Sequence, residues 1–330
     1  MVSIIVIGYN EGSRLTKCLN SISNIINSYS DLDFEVIYVD SKSEDNSIET
    51  AKSFPFVNKT FVITGKKNAA IARNIGAKES SGDILFFVDG DMELDVDFLS
   101  YAINDNKKMN FKVLTGHLDD YFYDYEGNFI GKSPRTYSKD IPNEIEKLDT
   151  NGGIFFIERK VWDELNGMNT KFKINEDIDF SIRLKTLGIC VHRLPHLITK
   201  HHTIDYRNEK RMWKNLIQGY GFYPGILFRK HFFEFYFIIQ TIRAQYTAIL
   251  LFLALIFFFI NYKFFTIFVV LYCSFLFLRA LVHTIKTNIN KYKFQYFLER
   301  SFLQFFLDLS FWIGFLFFFP NEKTEKYIEV

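Results

Sequence analysis

Three short apolar runs constrain this chain more than any other feature. Val2 to Ile7, Phe34 to Val39 and Ile84 to Val88 are rich in Val, Ile and Phe, and each stops abruptly at a polar cluster. The clusters are Gly8-Tyr9-Asn10-Glu11, Asp40-Ser41-Lys42-Ser43 and Asp89-Gly90-Asp91. Runs of this kind read as strands buried on both faces. Helical patterns lie between them. Leu15, Cys18, Leu19, Ile22, Ile25 and Ile26 mark one face of a helix of about four turns. Ser43 is placed to cap a helix opening with Glu44 and Asp45. Asn68 to Lys78 reads as a third helix, with Ala69, Ala70, Ala72 and Ala77 along it. Strands and helices alternating at this spacing predict a largely parallel α/β sheet. Each strand then delivers polar side chains to one edge, where open sheets of this kind bind ligands.

Asp89-Gly90-Asp91 is the most chemical of the three clusters. Two carboxylates two residues apart offer hard oxygen ligands to Mg²⁺ or Mn²⁺, ions commonly held by one or two carboxylates plus substrate phosphates. An acidic turn after a strand is the competing reading.

These segments, together with Arg73-Asn74-x-Gly76, Asn151-Gly152-Gly153 and Glu176-Asp177-Ile178-Asp179-Phe180, resemble family 2 glycosyltransferases with a GT-A fold. The resemblance covers roughly residues 1–205. It implies an α/β, Rossmann-like catalytic domain with a mostly parallel sheet and flanking helices. The donor it implies is an NDP-sugar, expected to be a UDP-sugar, with Mg²⁺ or Mn²⁺ as cofactor.

Residue roles follow from chemistry and from that resemblance. Tyr9 can pack on a flat base, and Glu11, beside Asn10, can accept from ribose hydroxyls. The resemblance puts Asp40, followed by Ser41, at a pyrimidine imide N–H; a turn residue ahead of a helix is the alternative. Arg73 suits the diphosphate or the acids around it. Asp89, beside Gly90, would face the ribose or a metal-bound water, and Asp91 would bind the metal. Asn151, Gly152 and Gly153 precede an apolar run, Ile154 to Ile157, and two glycines let backbone approach a ligand closely. In the family this loop lies by the donor sugar and the acceptor.

Glu176 to Leu187 reads as a helix with Asn175 as its cap. Asp177, with Glu176 beside it, is the expected general base, removing the proton of an acceptor hydroxyl as it attacks the anomeric carbon. One base without a covalent intermediate means inversion. Acids in a first helical turn also favour the helix dipole, which accounts for Glu176 and Asp179 without catalysis. His201 and His202 follow the strand-like Cys190 to Leu194 after a short connection, and one of the two is expected to join Asp91 and Asp89 at the metal. His192 and His196 read as structural.

The C-terminal third has a different character. The chain contains 39 Phe in 330 residues, concentrated late. Apolar runs near 244–260, 264–282 and 302–319 approach the length that crosses a hydrocarbon core, and Asn261-Tyr262-Lys263 predicts a hairpin between the first two. Asp308 lies inside the third, and an acid at that depth is costly unless paired. The expected organisation is a catalytic domain over 1–205, an interfacial stretch over 206–245 and an all-α membrane region over 246–330. Arg207, Lys210, Arg211, Lys214, Arg229 and Lys230 precede the first run, and Lys286, Lys291 and Lys293 follow the second. The positive-inside rule then puts the catalytic domain in the cytoplasm, in a multi-pass protein of the cell inner membrane. Three crossings would send the tail outside. The basic, aromatic stretch over 206–245 suits an interface and a lipid-linked acceptor. Arg211-Met212-Trp213 lacks the Gln-x-x-Arg-Trp motif of processive polysaccharide synthases.

Other classes fit poorly. Net charge is +1, which offers nucleic acid no basic field. Gly8-Tyr9-Asn10-Glu11-Gly12 fails the dinucleotide fingerprint, and Gly65-Lys66-Lys67 is no P-loop. Cys18, Cys190 and Cys273 show no paired spacing. Strand residues begin at once, with no signal-peptide pattern. The expected function is transfer of one sugar to a hydroxyl of a lipid-linked or glycan acceptor in cell-surface polysaccharide or glycolipid synthesis. The alternatives are a polyprenyl-phosphate sugar synthase and a non-catalytic membrane scaffold.

Overall fold

Val2–Gly8, Phe34–Asp40, Val57–Ile63 and Ile84–Asp89 form β1 to β4, which lie parallel in the order β3-β2-β1-β4. This is a computed structural model, and it describes residues 1–124, 126–204, 209–286 and 293–330. Val2, Ile4 and Val6 of β1 enter one core and Ile5 and Ile7 the other, the period-two alternation of a doubly covered strand. Each such side chain contributes about 1.5–3 kcal/mol when fully buried.

The remaining strands are β5 (Met92–Leu94), β6 (Val113–Tyr123), β7 (Phe129–Pro134), β8 (Glu146–Leu148), β9 (Phe155–Glu158), β10 (Val191–Ile204) and β11 (Tyr327–Glu329). The sheet runs β11-β3-β2-β1-β4-β9-β6-β10-β5, with β7 on β6 and β8 on β10. The expected parallel order therefore holds from β3 to β4. Beyond β4 the sheet is mixed, because β9 enters antiparallel to both β4 and β6. The polar stretch 143–150 contains β8.

On one face pack α1 (Ser13–Ser28), α2 (Ser47–Lys52) and, after it, the short α4; on the other packs α3 (Ala69–Glu79), with α4 being Phe98–Ala102. Helices α5 (Arg159–Glu164) and α6 (Glu176–Thr186) join α3 on the second face. Two expectations at helix starts need correction. Ser43 does not cap α2, which begins four residues later and is preceded by Asn46; Ser43 instead closes the β2 loop. Asn175 holds the N-cap position with φ 66 but makes no side-chain cap bond. Asn68 caps α3 as its position implies, accepting the Ile71 N–H at 2.8 Å. A Cβ on Gly76 would lie 2.2 Å from Ile5 Cγ2, so glycine lets α3 sit close on β1.

The chain divides into two units, 1–206 with 321–330, and 207–320. The second holds α7 (Glu209–Ile217), α8 (Tyr223–Lys230), α9 (Phe235–Ala244), α10 (Tyr246–Ile260), α11 (Tyr262–Lys286) and α12 (Lys293–Leu316). A Cβ on Gly225 would meet Phe311 O at 1.9 Å, and one on Gly314 would meet Phe222 O at 2.0 Å. Small residues thus bring α8 and α12 into backbone contact. Arg229 donates to the carbonyls of Gly314, Phe315 and Phe318, at the end of α12. Arg207 lies outside the described residues.

Among the described helices, only Tyr262–Ile285 is by itself long and apolar enough to cross a membrane. The run expected near 244–260 begins its helix at Tyr246, and it passes only jointly with α9, across a bend of 89°. The third run is corrected. Its apolar run lies in α12, which ends at Leu316, and α12 is not among the described helices long and apolar enough by themselves to cross a membrane. The tail also contradicts three crossings. β11 pairs antiparallel with β3, and Thr64 N–H donates to Lys326 O at 2.8 Å, so the tail belongs to the same unit as residue 1. A chain that leaves and rejoins one sheet crosses any membrane an even number of times. Asp308 is buried and paired: it accepts from Thr247 Oγ1 at 2.9 Å, Gln304 Nε2 at 2.6 Å and Tyr272 OH at 3.3 Å.

Candidate active site

The loops after β1, β2 and β4 meet at the edge the sequence points to. Asn10, at φ 55, builds the first: its N–H donates to Ser43 Oγ at 2.9 Å and its Oδ1 accepts the Glu44 N–H at 2.8 Å. Ser41 N–H donates to Gly8 O at 2.8 Å. Asp40 is fully buried. Its Oδ1 accepts the Ser43 N–H at 2.6 Å, and its Oδ2 accepts the Tyr38 and Ser43 hydroxyls at 2.9 and 2.6 Å. Asp40 thus sits inside the turn, with both oxygens engaged, and not on the open edge. Tyr9 is exposed, with the Lys67 ammonium 3.5 Å from its ring centroid. Glu11 pairs with Arg14 at 3.0 Å. Burial and the Asp91 charge push its carboxyl up to about 7, against the opposing pull of Arg14.

Arg73 joins three segments. Carried inward on α3 one turn before Gly76, its side chain is 3% exposed. Nη2 donates to Asp89 Oδ1 at 2.7 Å and to Gly153 O at 3.3 Å, and Nη1 to Glu176 Oε1 at 3.2 Å. Burial disfavours its charge, but Asp89, Glu176 and Asp177 outweigh that and raise its pKa. Burial raises Asp89 as well, opposed by Arg73 and reinforced by Asp91. It pushes Glu176 up to about 6, with Arg73 opposing and Asp177 assisting. A Cβ on Gly153 would lie 2.6 Å from Asp89 Oδ2, so only glycine lets this loop pass. Gly90 likewise leaves 3.0 Å to Glu11 Cγ for such an atom. Gly152 has φ +66. Asn151 is buried and tied to α6: its N–H donates to Ser181 Oγ at 2.9 Å, and its Oδ1 accepts from the same hydroxyl at 2.6 Å.

The first turn of α6 separates its acids. Asp179 is fully buried and paired with Arg183 at 3.0 Å, a structural role. Glu176 is held by Arg73. Asp177 is half-buried, and its Oδ1 accepts the Ile178 N–H at 2.9 Å.

The two late histidines part ways because they alternate on one strand. His201 Nε2 stands 3.2 Å from Asp91 Oδ2 and its Nδ1 2.8 Å from Asp120 Oδ1. Burial lowers its pKa, but the bonds to Asp120 and Asp91 prevail and push it up to about 9. His202 turns away, with Nε2 2.9 Å from Glu93 Oε2 and Nδ1 2.9 Å from Tyr123 OH. Asp91 Oδ1 is buried and accepts no hydrogen bond among the described residues. No group of three His, Cys, Asp or Glu converges there among the described residues. Asp91 and His201 nevertheless fit a Mg²⁺ or Mn²⁺ that keeps waters and substrate phosphates as its other ligands. Asp89 presents its Oδ1 to Arg73 instead. His192 stacks on Phe111 and His196 on Tyr101, as structural histidines would.

The sequence reading missed Asp120 and Arg135. Arg135 Nε donates to Asp120 Oδ2 at 2.9 Å, and Arg135 also contacts the His201 ring. Strand register brings Asp120 opposite His201, a pairing of β6 with β10 that no local motif signals. A cavity of about 250 Å³ opens here, lined by Asp89, Thr115, Arg135, Gly153, Arg193 and His201 among others.

A family model described as glycosyl transferase family 2 matches residues 3–165, and one described as the N-terminal domain of galactosyltransferase matches 138–207. The glycosyltransferase AglE of Haloferax volcanii is 38% identical over 93 residues, 27% of this chain and 30% of that protein. The dolichyl N-acetyl-alpha-D-glucosaminyl phosphate 3-beta-D-2,3-diacetamido-2,3-dideoxy-beta-D-glucuronosyltransferase of Methanococcus voltae is 24% identical over 281 residues, 76% of this chain and 83% of its own. Residues 1–349 of S. aureus TarS, solved with UDP-GlcNAc, superpose with a TM-score of 0.46 at 19% identity, covering 61% of this chain and 58% of that one. The match thus spans less than a third of the Haloferax protein and under two thirds of the TarS chain.

Proposed function

The chain belongs to the family 2 glycosyltransferases, with a GT-A fold, and from that premise we propose that it moves one sugar from an NDP-sugar, UDP-linked in this reading, to a hydroxyl of a lipid-linked glycan. The observation that carries the reading is the division of labour among the acids. Arg73 pins Asp89 and Glu176 together, Asp91 is left to His201, and Asp177 stays half-buried with one oxygen uncommitted to the helix backbone.

Asp177 takes the acceptor proton as the hydroxyl oxygen bonds to the anomeric carbon. The bond from that carbon to the diphosphate oxygen breaks, its electron pair leaves with the nucleoside diphosphate, and the configuration inverts. Asp91 and His201 would hold Mg²⁺ or Mn²⁺, which when bound offsets charge on a departing diphosphate. Arg73 keeps Asp89 and the glycine loop in register. Asn151, through Ser181, ties that loop to the helix that carries the base.

The Methanococcus relative, whose name gives a dolichyl sugar phosphate as acceptor, supports a lipid-linked acceptor here. Membrane attachment is supported by the apolar helix α11. In this reading the bent pair α9 and α10 partners α11 in a hairpin, which agrees with the return of the tail to β3. Basic residues on the near side favour a cytoplasmic catalytic unit at the cell inner membrane.

The test is a panel of NDP-sugars offered to detergent-purified protein with Mg²⁺ or Mn²⁺. Metal-dependent release of nucleoside diphosphate from one donor is expected. A chain that releases none from any donor behaves as the non-catalytic scaffold.

A further inference from the structure

The cavity of about 250 Å³ at the candidate active site is lined in part by Arg193, a cation that the transfer chemistry does not use. Asp89, Gly153 and His201 line the end that the proposed function assigns to the diphosphate. Arg193 and Thr115 are register partners on β10 and β6, as are His201 and Asp120. Positions 115 and 120 are five residues apart on β6, about 16 Å at about 3.3 Å per residue. Arg193 therefore enters the lining from the end away from His201, with room for one sugar ring between.

Arg193 is only partly committed within the protein. Its Nη1 pairs with Glu146 Oε2 of β8 at 2.9 Å. Its Nε is buried and meets no acceptor among the described residues. A guanidinium carries five N–H donors, and one carboxylate oxygen does not satisfy them. The bond to Glu146 uses Nη1 and leaves the side-on edge of Nε and Nη2, which suits a second carboxylate bidentately. The other charges nearby have their own partners. Asp89 Oδ1 accepts from Arg73 at 2.7 Å, and Arg135 donates to Asp120 and contacts the His201 ring. His117 Nε2 lies 3.9 Å from Glu146 Oε2, but burial, and then the Arg193 charge, lower its pKa, so Arg193 is the charged partner of Glu146 at pH 7. Thr115 Oγ1, in the same lining, donates to Ile154 O at 2.7 Å, so its lone pairs are what it offers a sugar hydroxyl.

We propose that Arg193 reads a carboxylate on the transferred sugar, so that the donor is an NDP-hexuronate. The anomeric carbon lies toward Asp89 and Gly153, the C6 carboxylate meets the Nε–Nη2 edge, and Thr115 accepts from a ring hydroxyl. A neutral hexose puts a hydroxyl where the carboxylate would be, and that is a weaker acceptor for a guanidinium. Arg193 selects the sugar and takes no part in bond making. The inference rests on the reading of this chain as an NDP-sugar transferase and narrows its donor.

The test is titration calorimetry on the full chain in detergent with Mg²⁺, using matched donors that differ only at C6. The pairs are UDP-glucuronate with UDP-glucose, UDP-galacturonate with UDP-galactose, and GDP-mannuronate with GDP-mannose. One uronate is expected to bind at least about tenfold more tightly than its neutral twin, the scale of a hydrogen bond to a charged group. R193Q should lose that preference by weakening the uronate alone, while the neutral twin and the free nucleotide bind as before, which checks folding. R193K should recover part of it. E146Q should keep the preference, because Glu146 holds only Nη1. The inference is overturned if every neutral twin binds as tightly as its uronate, or if R193Q weakens both members of a pair equally. It is also overturned if E146Q loses the preference as R193Q does, the result a purely structural ion pair would give. Release of nucleoside diphosphate from neutral donors alone sinks this inference and leaves the proposed function standing. An arginine-dependent preference in a chain that transfers no sugar does the reverse. Binding of no donor in any pair sinks both.

Discussion

His201 Nε2 stands 3.2 Å from Asp91 Oδ2, while the neighbouring His202 points to Glu93 and Tyr123. The two histidines therefore give opposite expectations. Asp91→Ala and His201→Ala should each abolish measurable metal-stimulated transfer, and EDTA should do the same reversibly. His202→Ala should cost far less. Titration of activity against Mn²⁺ checks this; full activity in chelator, or equal losses for both histidines, contradicts the assignment.

Arg73→Ala should destabilise the catalytic unit by about 3–5 kcal/mol, the range for removing one partner of a buried ion pair. Asp89 and Glu176 would face one another without their shared cation. Arg73→Lys should recover little, because a single ammonium cannot span Asp89, Gly153 O and Glu176 as the planar group does. Denaturant midpoints of the three proteins decide the matter.

Glu176 supplies the pH prediction. Burial pushes its folded pKa up to about 6 from 4.5, so between these values the folded state holds a proton that the unfolded state has lost. The stabilisation is present below pH 4.5 and is lost as pH rises through about 6, by roughly 1–2 kcal/mol. Glu176→Gln lacks that decline. Its stability relative to the unaltered chain should therefore improve from pH 5 to pH 7.5, measured in chelator. A relative stability of Glu176→Gln that falls over this range overturns the sign.

The tail strand fixes a topological outcome. In a chain whose own cysteines are replaced, Tyr262→Cys should react with an impermeant label from the side opposite the catalytic unit. Ile328→Cys should be reachable only from the catalytic side. Labelling of both positions from one side removes the hairpin.

Much of this site was legible because β1, β2 and β4 announce themselves by where their apolar runs stop. The spacing of Arg73 and Gly76 was visible too, and its meaning is packing: Gly76 seats α3 on Ile5, which carries Arg73 under the strand ends. What stayed hidden depends on register. β10 runs unbroken from Val191 through Pro195 to Ile204, although Pro195 reads as a break; the pairing with β6 shifts between Arg193 and Thr199 to accommodate it. That shift selects Asp120 as the partner of His201. The return of β11 to β3 was unreadable for a similar reason, since Tyr327-Ile328-Glu329 is too short to signal a strand.

The central claim is that Asp177 removes the proton of an acceptor hydroxyl. Single-turnover transfer from a bound NDP-sugar to a polyprenyl-linked sugar acceptor tests it, with donor affinity measured in parallel by titration calorimetry. Asp177→Asn should bind donor as tightly as the unaltered protein and transfer at least about 10²-fold more slowly, the usual contribution of a positioned base. An unchanged transfer rate contradicts the claim and favours a phosphate acceptor, as in a polyprenyl-phosphate sugar synthase; a collapse of donor affinity with the rate preserved makes Asp177 a binding residue.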